Sequence, residues 1–365
     1  KTSHCKKIFF DTYANTIVDK PNINHKGTYM RIFTPLIIAS TMLLSNQINA
    51  QPITQISPST HPNTYCIEDA TNDFENLAES IVAVENITRS SHTIGAGVCV
   101  SEMGHIVTNT HVIDNYDSIN VVNINGDKFD AKVVYQDSIL DIAVLQVTQS
   151  NIPPLELCTD IPDVGDSVIA VGTPLSLVLK HTYTKGIISA VNRTIKVNGS
   201  DGEYYMSGLL QHDASLNYGN SGGPLLDNNN RVIGINTLKI TGGEGIGFAI
   251  PCKAFVSILD KVISHNLHTP YLGLYGVDCS IAKFNKLTNN NDGYYIQSIS
   301  DDSPVYGICE VGDIVTAIDG TSIHNTIDYR HELYKFNAGD IVDITIYRDN
   351  QLITKKIQLG TKPNC

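Results

Sequence analysis

The feature that most constrains this chain of 365 residues is the stretch 219–226, which reads Gly-Asn-Ser-Gly-Gly-Pro-Leu-Leu. Its glycines leave the hydroxyl of Ser221 open to approach. The run Gly222-Gly223-Pro224 disfavours a helix that begins directly after Ser221. Residues 225–235 then form two short apolar runs joined by the turn-forming segment 227–230, which predicts a β-hairpin. We therefore interpret Ser221 as an accessible serine just before a hairpin.

The same residues contain the pattern G-x-S-x-G, which also surrounds the nucleophile of α/β-hydrolases. That class of enzyme needs a helix immediately after the serine, whereas Gly222, Gly223 and Pro224 break a helix. A tight turn without catalytic function is the other alternative, since the pattern alone is weak. A catalytic role for Ser221 therefore needs support from other residues of the chain.

Two upstream segments supply the partners that a serine nucleophile needs, namely a base and a carboxylate that orients the base. His111 lies in Thr-Asn-Thr-His-Val, and Asp141 begins Asp-Ile-Ala-Val-Leu. The order His111, Asp141, Ser221 is that of chymotrypsin-like proteases. A core histidine is the alternative for His111, and Asp137 is the competing acid for the role of Asp141.

These three blocks resemble the HtrA (Deg) family of serine proteases. The resemblance implies an oxyanion hole made by the backbone N–H groups of Gly219 and Ser221, with Asn220 between them. Digestive relatives carry an aspartate at the position of Asn220, where it pairs with a new N-terminus, so we do not expect activation by that route. The segments 171–186 and 236–247 resemble the family's mobile loops, whose ordering would then set activity.

Short strand-like segments at regular spacing surround the three blocks and predict a mainly β fold. A first barrel is predicted from residues 95–100, 106–108, 121–124, 131–135 and 142–147, and a second from 167–171, 186–191, 209–211, 232–236 and 245–250. Helical spacing predicts a short helix within 73–84, followed by a strand-like segment at 81–85, and a second helix at 255–264. The expected fold class is a chymotrypsin-like double β-barrel protease domain over 73–264, followed by a small α+β domain.

The position six residues before the serine is Ser215, which the chymotrypsin-like arrangement places at the floor of the specificity pocket. A serine offers no counter-charge for arginine or lysine in the substrate. We therefore expect small or medium apolar residues on the amino side of the cleaved bond.

After a short linker at 265–270, residues 271–360 resemble a PDZ domain. The resemblance implies that an extended C-terminal peptide binds by strand addition, with the N–H groups of Leu272, Gly273 and Leu274 receiving its carboxylate. Six flexible linker residues span only about 12–15 Å, so we expect the peptide groove to stay near the barrels and to regulate them. A tether that only raises the local substrate concentration is the alternative.

The N-terminal segments predict an exported protein. Residues 1–29 lie upstream of the expected start at Met30, residues 30–50 read as a signal peptide, and the Pro-, Ser- and Thr-rich segment 51–72 reads as a flexible lead-in. An inner-membrane anchor facing the periplasm is the alternative, although the apolar run is shorter than the ~20 residues that span a bilayer. We expect the periplasm as the location.

Composition limits the possible partners. The chain has a formal net charge of −12 without a long basic run, so we do not expect nucleic acid as a partner. Most of its eight cysteines are expected to be buried and apolar, because an odd number of them follows the leader. No metal site or cofactor is expected, since His331 lacks the second histidine of H-E-x-x-H.

Together these features predict an exported, ATP-independent serine endopeptidase that cleaves misfolded or unfolded proteins and also binds C-terminal peptides. The family resemblance implies a homotrimer, with Tyr65 and Phe74 as aromatic residues near the subunit contact. One alternative is a membrane-anchored, stress-sensing protease that cuts a single regulator. The other is a peptide-binding chaperone or scaffold with little proteolysis.

Overall fold

The computed structural model describes residues 74–148, 151–173, 181–199, 202–239 and 244–361. The predicted leader and lead-in therefore lie outside the described residues. Helix α1 (Phe74–Ser80) leads directly into strand β1 (Ile81–Ile87). The helical spacing thus extends too far, since the helix ends at Ser80. The strand-like segment at 81–85 is confirmed as part of β1, where Ile81 lies opposite Val98.

The first barrel brings the two predicted partners of the serine to one edge. Its strands close in the order β1-β2-β3-β6-β5-β4. Strand β3 pairs with β6, and Thr108 lies opposite Ala143, so the chain just after β3 and the chain just before β6 are neighbours. The other strands are β2 (His92–Cys99), β3 (His105–Thr108), β4 (Ser118–Val122), β5 (Lys128–Asp137) and β6 (Ile142–Val147).

The second barrel carries the predicted nucleophile. Its strands close in the order β10-β11-β12-β9-β8-β7, and Pro224 of β10 pairs with Ile235 of β11. The hairpin predicted after Ser221 is therefore confirmed. The strands are β7 (Ser167–Gly172), β8 (Thr182–Gly199), β9 (Gly202–His212), β10 (Pro224–Leu226), β11 (Val232–Lys239) and β12 (Gly247–Pro251).

A separate sheet follows helix α2 (Val256–Ile263). It has the order β14-β15-β16-β18-β19, with β17 paired to β16, and a two-stranded sheet joins β13 to β20. The elements are β13 (Pro270–Tyr271), β14 (Leu274–Asp278), α3 (Cys279–Phe284), β15 (Tyr294–Ile299), β16 (Ile314–Ile318), β17 (Thr321–Ser322), α4 (Thr326–Lys335), β18 (Ile341–Arg348), β19 (Gln351–Gln358) and β20 (Gly360–Thr361). Among the described helices, none is long and apolar enough to cross a membrane.

Helix α4 belongs to two hydrophobic cores at once. Tyr329 and Leu333 pack into the core of the C-terminal sheet. Ile327 and Tyr334 instead join a core shared by both barrels and α2. The C-terminal domain is therefore packed against the barrels through α4, in addition to being connected to them by the short linker.

Strands β8 and β9 differ most from the sequence-based expectation. They were predicted at 186–191 and 209–211 but are 18 and 11 residues long. Their extension packs against α4, where Gly208 has φ 79° and an added Cβ would lie 2.0 Å from Cγ1 of Ile327. This contact with a distant part of the chain is why local sequence patterning did not reveal the extension.

The cysteines behave as the composition indicates. Those in the described part of the chain are all buried and free of disulfides, which confirms the prediction for them. They are Cys99, Cys158, Cys252, Cys279 and Cys309.

We expect Phe255→Ala to lower the free energy of unfolding by about 3–5 kcal/mol, because it empties a fully buried aromatic site in the core shared by the barrels and α4. The matched control is Phe284→Ala, since Phe284 is 84% exposed and its loss should cost less than about 0.5 kcal/mol. Urea unfolding of both variants measures the difference. Equal shifts would contradict this assignment of the core.

Candidate active site

His111 follows β3 in a single 3-10 turn, Thr110–Val112, and its side chain is 42% exposed. Its Nδ1 lies 2.8 Å from Oδ2 and 3.0 Å from Oδ1 of Asp141, and its backbone N–H donates to the same Oδ1 over 3.0 Å. Burial lowers the pKa of His111, but the hydrogen bond to Asp141 and its charge raise it more, so the net pKa lies above the usual value. The contact with Nδ1 leaves Nε2 available as the basic nitrogen.

Asp141 is held at a left-handed backbone position, with φ 60°. Its carbonyl oxygen accepts from Nδ2 of Asn109 over 2.9 Å. Asp137, the competing acid, caps the preceding turn instead, since its Oδ1 accepts the N–H groups of Ile139 and Leu140, each over 3.0 Å. Of the two acids, the structure thus brings Asp141 to His111.

Thr237 is a residue of this site that the sequence analysis missed. It is buried in β11, and its Oγ1 donates to Oδ2 of Asp141 over 2.6 Å. The available signal was a hydroxyl residue directly after the apolar strand predicted at 232–236, which is weak by itself. The carboxylate of Asp141 therefore accepts hydrogen bonds from both barrels, through His111 and Thr237.

Ser221 lies in the turn before β10, and its backbone carbonyl accepts the N–H of Ala96 from the first barrel over 2.9 Å. Its Oγ donates to the carbonyl of Thr237 over 2.9 Å. Within the described residues, no hydrogen bond joins Ser221 to His111. Gly222 has φ 85°, and an added Cβ would lie 2.2 Å from the carbonyl oxygen of Ala96, so this turn requires glycine directly after the serine.

The three residues predicted for the oxyanion hole differ in their hydrogen bonding. The N–H of Asn220 donates to the carbonyl of Asn217 over 3.0 Å, and the N–H of Thr173 donates to the carbonyl of Gly219 over 3.1 Å. In the part of the chain that the structure describes, the N–H groups of Gly219 and Ser221 have no acceptor. Within the described residues, the N–H groups of Gly219 and Ser221 are therefore the available donors, while the N–H of Asn220 is used to build the turn.

Among the described residues next to Ser215 in the chain, the one acidic side chain, Asp213, is exposed. Ser215 is exposed, whereas His212 and Leu216 are buried nearby, where a Cβ added to Gly247 would lie 2.8 Å from Cε1 of His212 and 2.9 Å from Cδ1 of Leu216. Burial lowers the pKa of His212 to about 4, so its imidazole is neutral at neutral pH. His212 is a second residue of this region that the sequence analysis did not identify.

The loop at 272–274, predicted to bind a peptide carboxylate, is held by hydrogen bonds from two serines of the same domain. Ser303 Oγ donates to the carbonyl of Leu272 over 2.6 Å, and the N–H of Ser300 donates to the carbonyl of Gly273 over 2.9 Å. Gly273 has φ 66°. Among the described residues, the N–H groups of Leu272 and Gly273 have no acceptor, whereas Leu274 is the first residue of β14.

Comparison with known families supports the assignment of both the barrels and the C-terminal domain. Residues 95–235 match the trypsin-like peptidase domain family, and residues 285–359 match the PDZ domain family. The predicted fold class, barrels of the trypsin type followed by one PDZ domain, is therefore confirmed.

Proteins similar in sequence to this chain are named serine proteases. The Bacillus subtilis protein named serine protease Do-like HtrA is 32% identical over 323 residues, covering 79% of this chain and 72% of that protein. The Salmonella typhimurium protein named periplasmic serine endoprotease DegP is 32% identical over 73% of this chain and 56% of its own length. A crystal structure of the serine endoprotease from Yersinia pestis aligns with a TM-score of 0.56 and 30% identity, over 80% of this chain and 98% of that one. With these relatives and both domains in this order, the chain belongs to the HtrA family of serine proteases and is a serine endopeptidase.

Proposed function

We propose that this endopeptidase uses Ser221 as nucleophile, His111 as general base and Asp141 as the carboxylate that orients the base. The observation that carries the proposal is the double contact between Asp141 and His111, at Nδ1 over 2.8 Å and at the backbone N–H over 3.0 Å. Because Nδ1–H donates to the carboxylate, the lone pair of Nε2 remains free to take a proton.

The proposed chemistry passes through an acyl-enzyme. Nε2 of His111 takes the hydroxyl proton of Ser221 while Oγ bonds to the carbonyl carbon of the substrate, and the N–H groups of Gly219 and Ser221 bind the developing oxyanion. The C–N bond then breaks as His111 gives the proton to the leaving amine. A water molecule hydrolyses the resulting ester by the same route.

One side-chain movement must precede this chemistry. The hydroxyl of Ser221 contacts the carbonyl of Thr237 at 2.9 Å, so it has to turn away from that oxygen to reach His111. We infer a rotation of the side chain alone, because the backbone of Ser221 is held by its hydrogen bond from Ala96.

For substrates we propose unfolded or misfolded polypeptides, cleaved after small or medium apolar residues. The exposed Ser215 and the neutral His212 offer no charge for a basic side chain. A cleavage map of β-casein tests this preference, and cleavage confined to lysine and arginine would reject it.

We propose the periplasm as the location. The signal-like segment at 30–50 supports this, as does the relative from Salmonella typhimurium, which is named periplasmic. Mass spectrometry of the exported protein should find its N-terminus at Gln51, whereas an intact chain in the membrane fraction would favour the anchored alternative.

We also propose a homotrimer. Phe74 is 42% exposed and packs on Tyr183 with ring centroids 4.8 Å apart, which leaves an aromatic surface near the start of the first barrel. Tyr65, the other aromatic residue of this prediction, lies outside the described residues. Light scattering that reports a monomer would reject the trimer.

We propose that the PDZ domain binds C-terminal peptides at Leu272, Gly273 and Leu274 and that this binding regulates cleavage. The N–H groups of Leu272 and Gly273, for which the described residues offer no acceptor, support the first statement. The packing of α4 in the barrel core supports the second, because a peptide beside α4 could shift a helix that the barrels contact. A tenfold rate gain needs only about 1.4 kcal/mol of differential affinity between active and inactive arrangements.

We expect Ser221→Ala to lower kcat for β-casein by a factor on the order of 10⁶ while leaving the unfolding midpoint unchanged, because it removes only the attacking oxygen. The matched control, Ser118→Ala, changes an exposed serine of β4 and should keep full activity. Cleavage retained by Ser221→Ala would refute the triad. A wild-type protein that binds casein without cutting it would favour the chaperone or scaffold alternative.

Thr237→Val should lower kcat roughly 10- to 100-fold, because it removes the 2.6 Å hydrogen bond to Asp141 and a bond to a charged group contributes about 1.5–3 kcal/mol. Thr237→Ser keeps the hydroxyl and should remain within about threefold of wild type. Steady-state kinetics on a peptide substrate measure both variants. Equal rates for the two would show that the hydroxyl does not support Asp141.

A short apolar C-terminal peptide, added in trans, should accelerate cleavage of a small chromogenic substrate that cannot reach the PDZ groove. The gain should vanish in Gly273→Ala, whose added Cβ would lie 2.6 Å from Cβ of Ser303. The control Gly307→Ala also has a positive φ but meets nothing within 4 Å and should respond as wild type does. An unchanged rate at demonstrated peptide saturation would leave only the tethering function.

A further inference from the structure

A buried positive charge of the C-terminal domain reaches into the first barrel. Arg330 lies in α4, and its Nη1 is 3.6 Å from Oδ2 of Asp137. The two side chains are only 16% and 3% exposed. Water therefore screens this pair much less than a pair on the surface.

Asp137 shapes the turn that presents Asp141. Its Oδ1 accepts the N–H groups of Ile139 and Leu140. Its Oδ2 lies near Nη1 of Arg330 and also accepts from the hydroxyl of Tyr135 over 3.5 Å. Thr110 Oγ1 donates to the carbonyl of Asp137 over 3.2 Å, which ties the same turn to the residue before His111. Asp141 directly follows this turn and has φ 60°, a strained position that surrounding contacts must maintain. We therefore expect a shift of the Asp137 carboxylate to be transmitted to Asp141.

Arg330 is itself held in place by the packing of α4. Two residues before it, Asp328 pairs with Lys253 at 2.8 Å, and Ile327 fills the space above Gly208. Tyr334, one turn further along α4, lies in the core shared with the barrels. The helix thus presents Arg330 to Asp137 in a fixed position.

The charges of Arg330 and Asp137 also favour an ion pair between the two side chains. Burial lowers the pKa of Arg330, but Asp137 and neighbouring tyrosines raise it more, so the guanidinium is charged. An isolated carboxylate at the position of Asp137 would be costly to bury, and a nearby cation offsets that cost. Removal of Arg330 therefore leaves the turn with an incompletely compensated charge.

We propose that Arg330 is a positioning residue for catalysis, which acts through Asp137 to keep Asp141 aligned with His111, so that the PDZ helix α4 completes the active site within the same chain. This inference rests on the proposed triad but goes beyond it, since it makes basal turnover depend on α4 even when no peptide is bound. The functional unit is then the two barrels together with α4.

The test compares Arg330→Met with Arg330→Lys on a quenched-fluorescent peptide that carries a cleavage site mapped in β-casein. Arg330→Met should lower kcat at least tenfold with KM within about twofold, because alignment of the base is lost while the substrate groove is unchanged. Arg330→Lys keeps the charge and should recover most of the rate. Lys335→Met, which removes an exposed cation from the same helix, should behave as wild type.

The pH profile separates positioning from a merely structural role. His111 faces Asp141 and Asp114, and the raised pKa of His111 depends chiefly on its contact with Asp141. If Arg330→Met loosens that contact, the acid limb of kcat/KM should move to lower pH. A structural defect would instead reduce the fraction of active enzyme, measured by active-site titration, without moving the limb.

Asp137→Asn keeps an oxygen for the turn but removes the charge. It therefore tests the positioning role of the ion pair even if Arg330→Met does not fold. It should shift the acid limb in the same direction, and combining it with Arg330→Met should add little further loss. A wild-type rate and profile in both single variants would overturn the inference. Because Ser221→Ala tests the triad separately, failure here would leave the proposed function intact.

Discussion

The carboxylate of Asp141 is the group on which the site depends, because donors from both barrels converge on it. His111 contacts it from the first barrel and Thr237 from the second, the latter over 2.6 Å. Neither barrel alone can supply this arrangement. The backbone of Asp141 is itself in a sparsely populated region, with φ 60°, so the surrounding contacts must maintain it. Formation of the site is therefore coupled to the packing of the two barrels.

The turn that carries Ser221 also depends on contacts with both barrels. The carbonyl of Ser221 accepts the N–H of Ala96 in the first barrel, while the N–H of Gly222 donates to the carbonyl of Asn236 in the second. These bonds fix the backbone but leave the serine side chain able to rotate. The C-terminal domain is linked to this assembly through α4, which shares a core with the barrels. A regulatory signal from the PDZ domain would thus have a direct physical route to the barrels.

Short motifs beside apolar strands singled out His111, Asp141 and Ser221. The structure brings His111 and Asp141 together, whereas the triad as a catalytic unit remains a proposal. The barrels were also predictable, because their strands are short, regularly spaced and rich in β-branched residues. Thr237 and Arg330 were not, because their partners lie 96 and about 190 positions away in the chain, a separation that no local pattern records. The length of β8 and β9 was missed for the same reason, as their extension is stabilised by α4. The leader and lead-in remain predictions.

The central claim is that Ser221 is activated by a histidine that Asp141 aligns. Covalent labelling of the folded chain with a fluorophosphonate, followed by peptide mapping, tests it most directly, because this reagent reacts with activated serines rather than with serines in general. We expect one time-dependent adduct, located on Ser221. It should disappear when the protein is denatured first, and Asp141→Ala should slow its formation strongly. An adduct on another serine, or none on a protein shown to be folded, would contradict it.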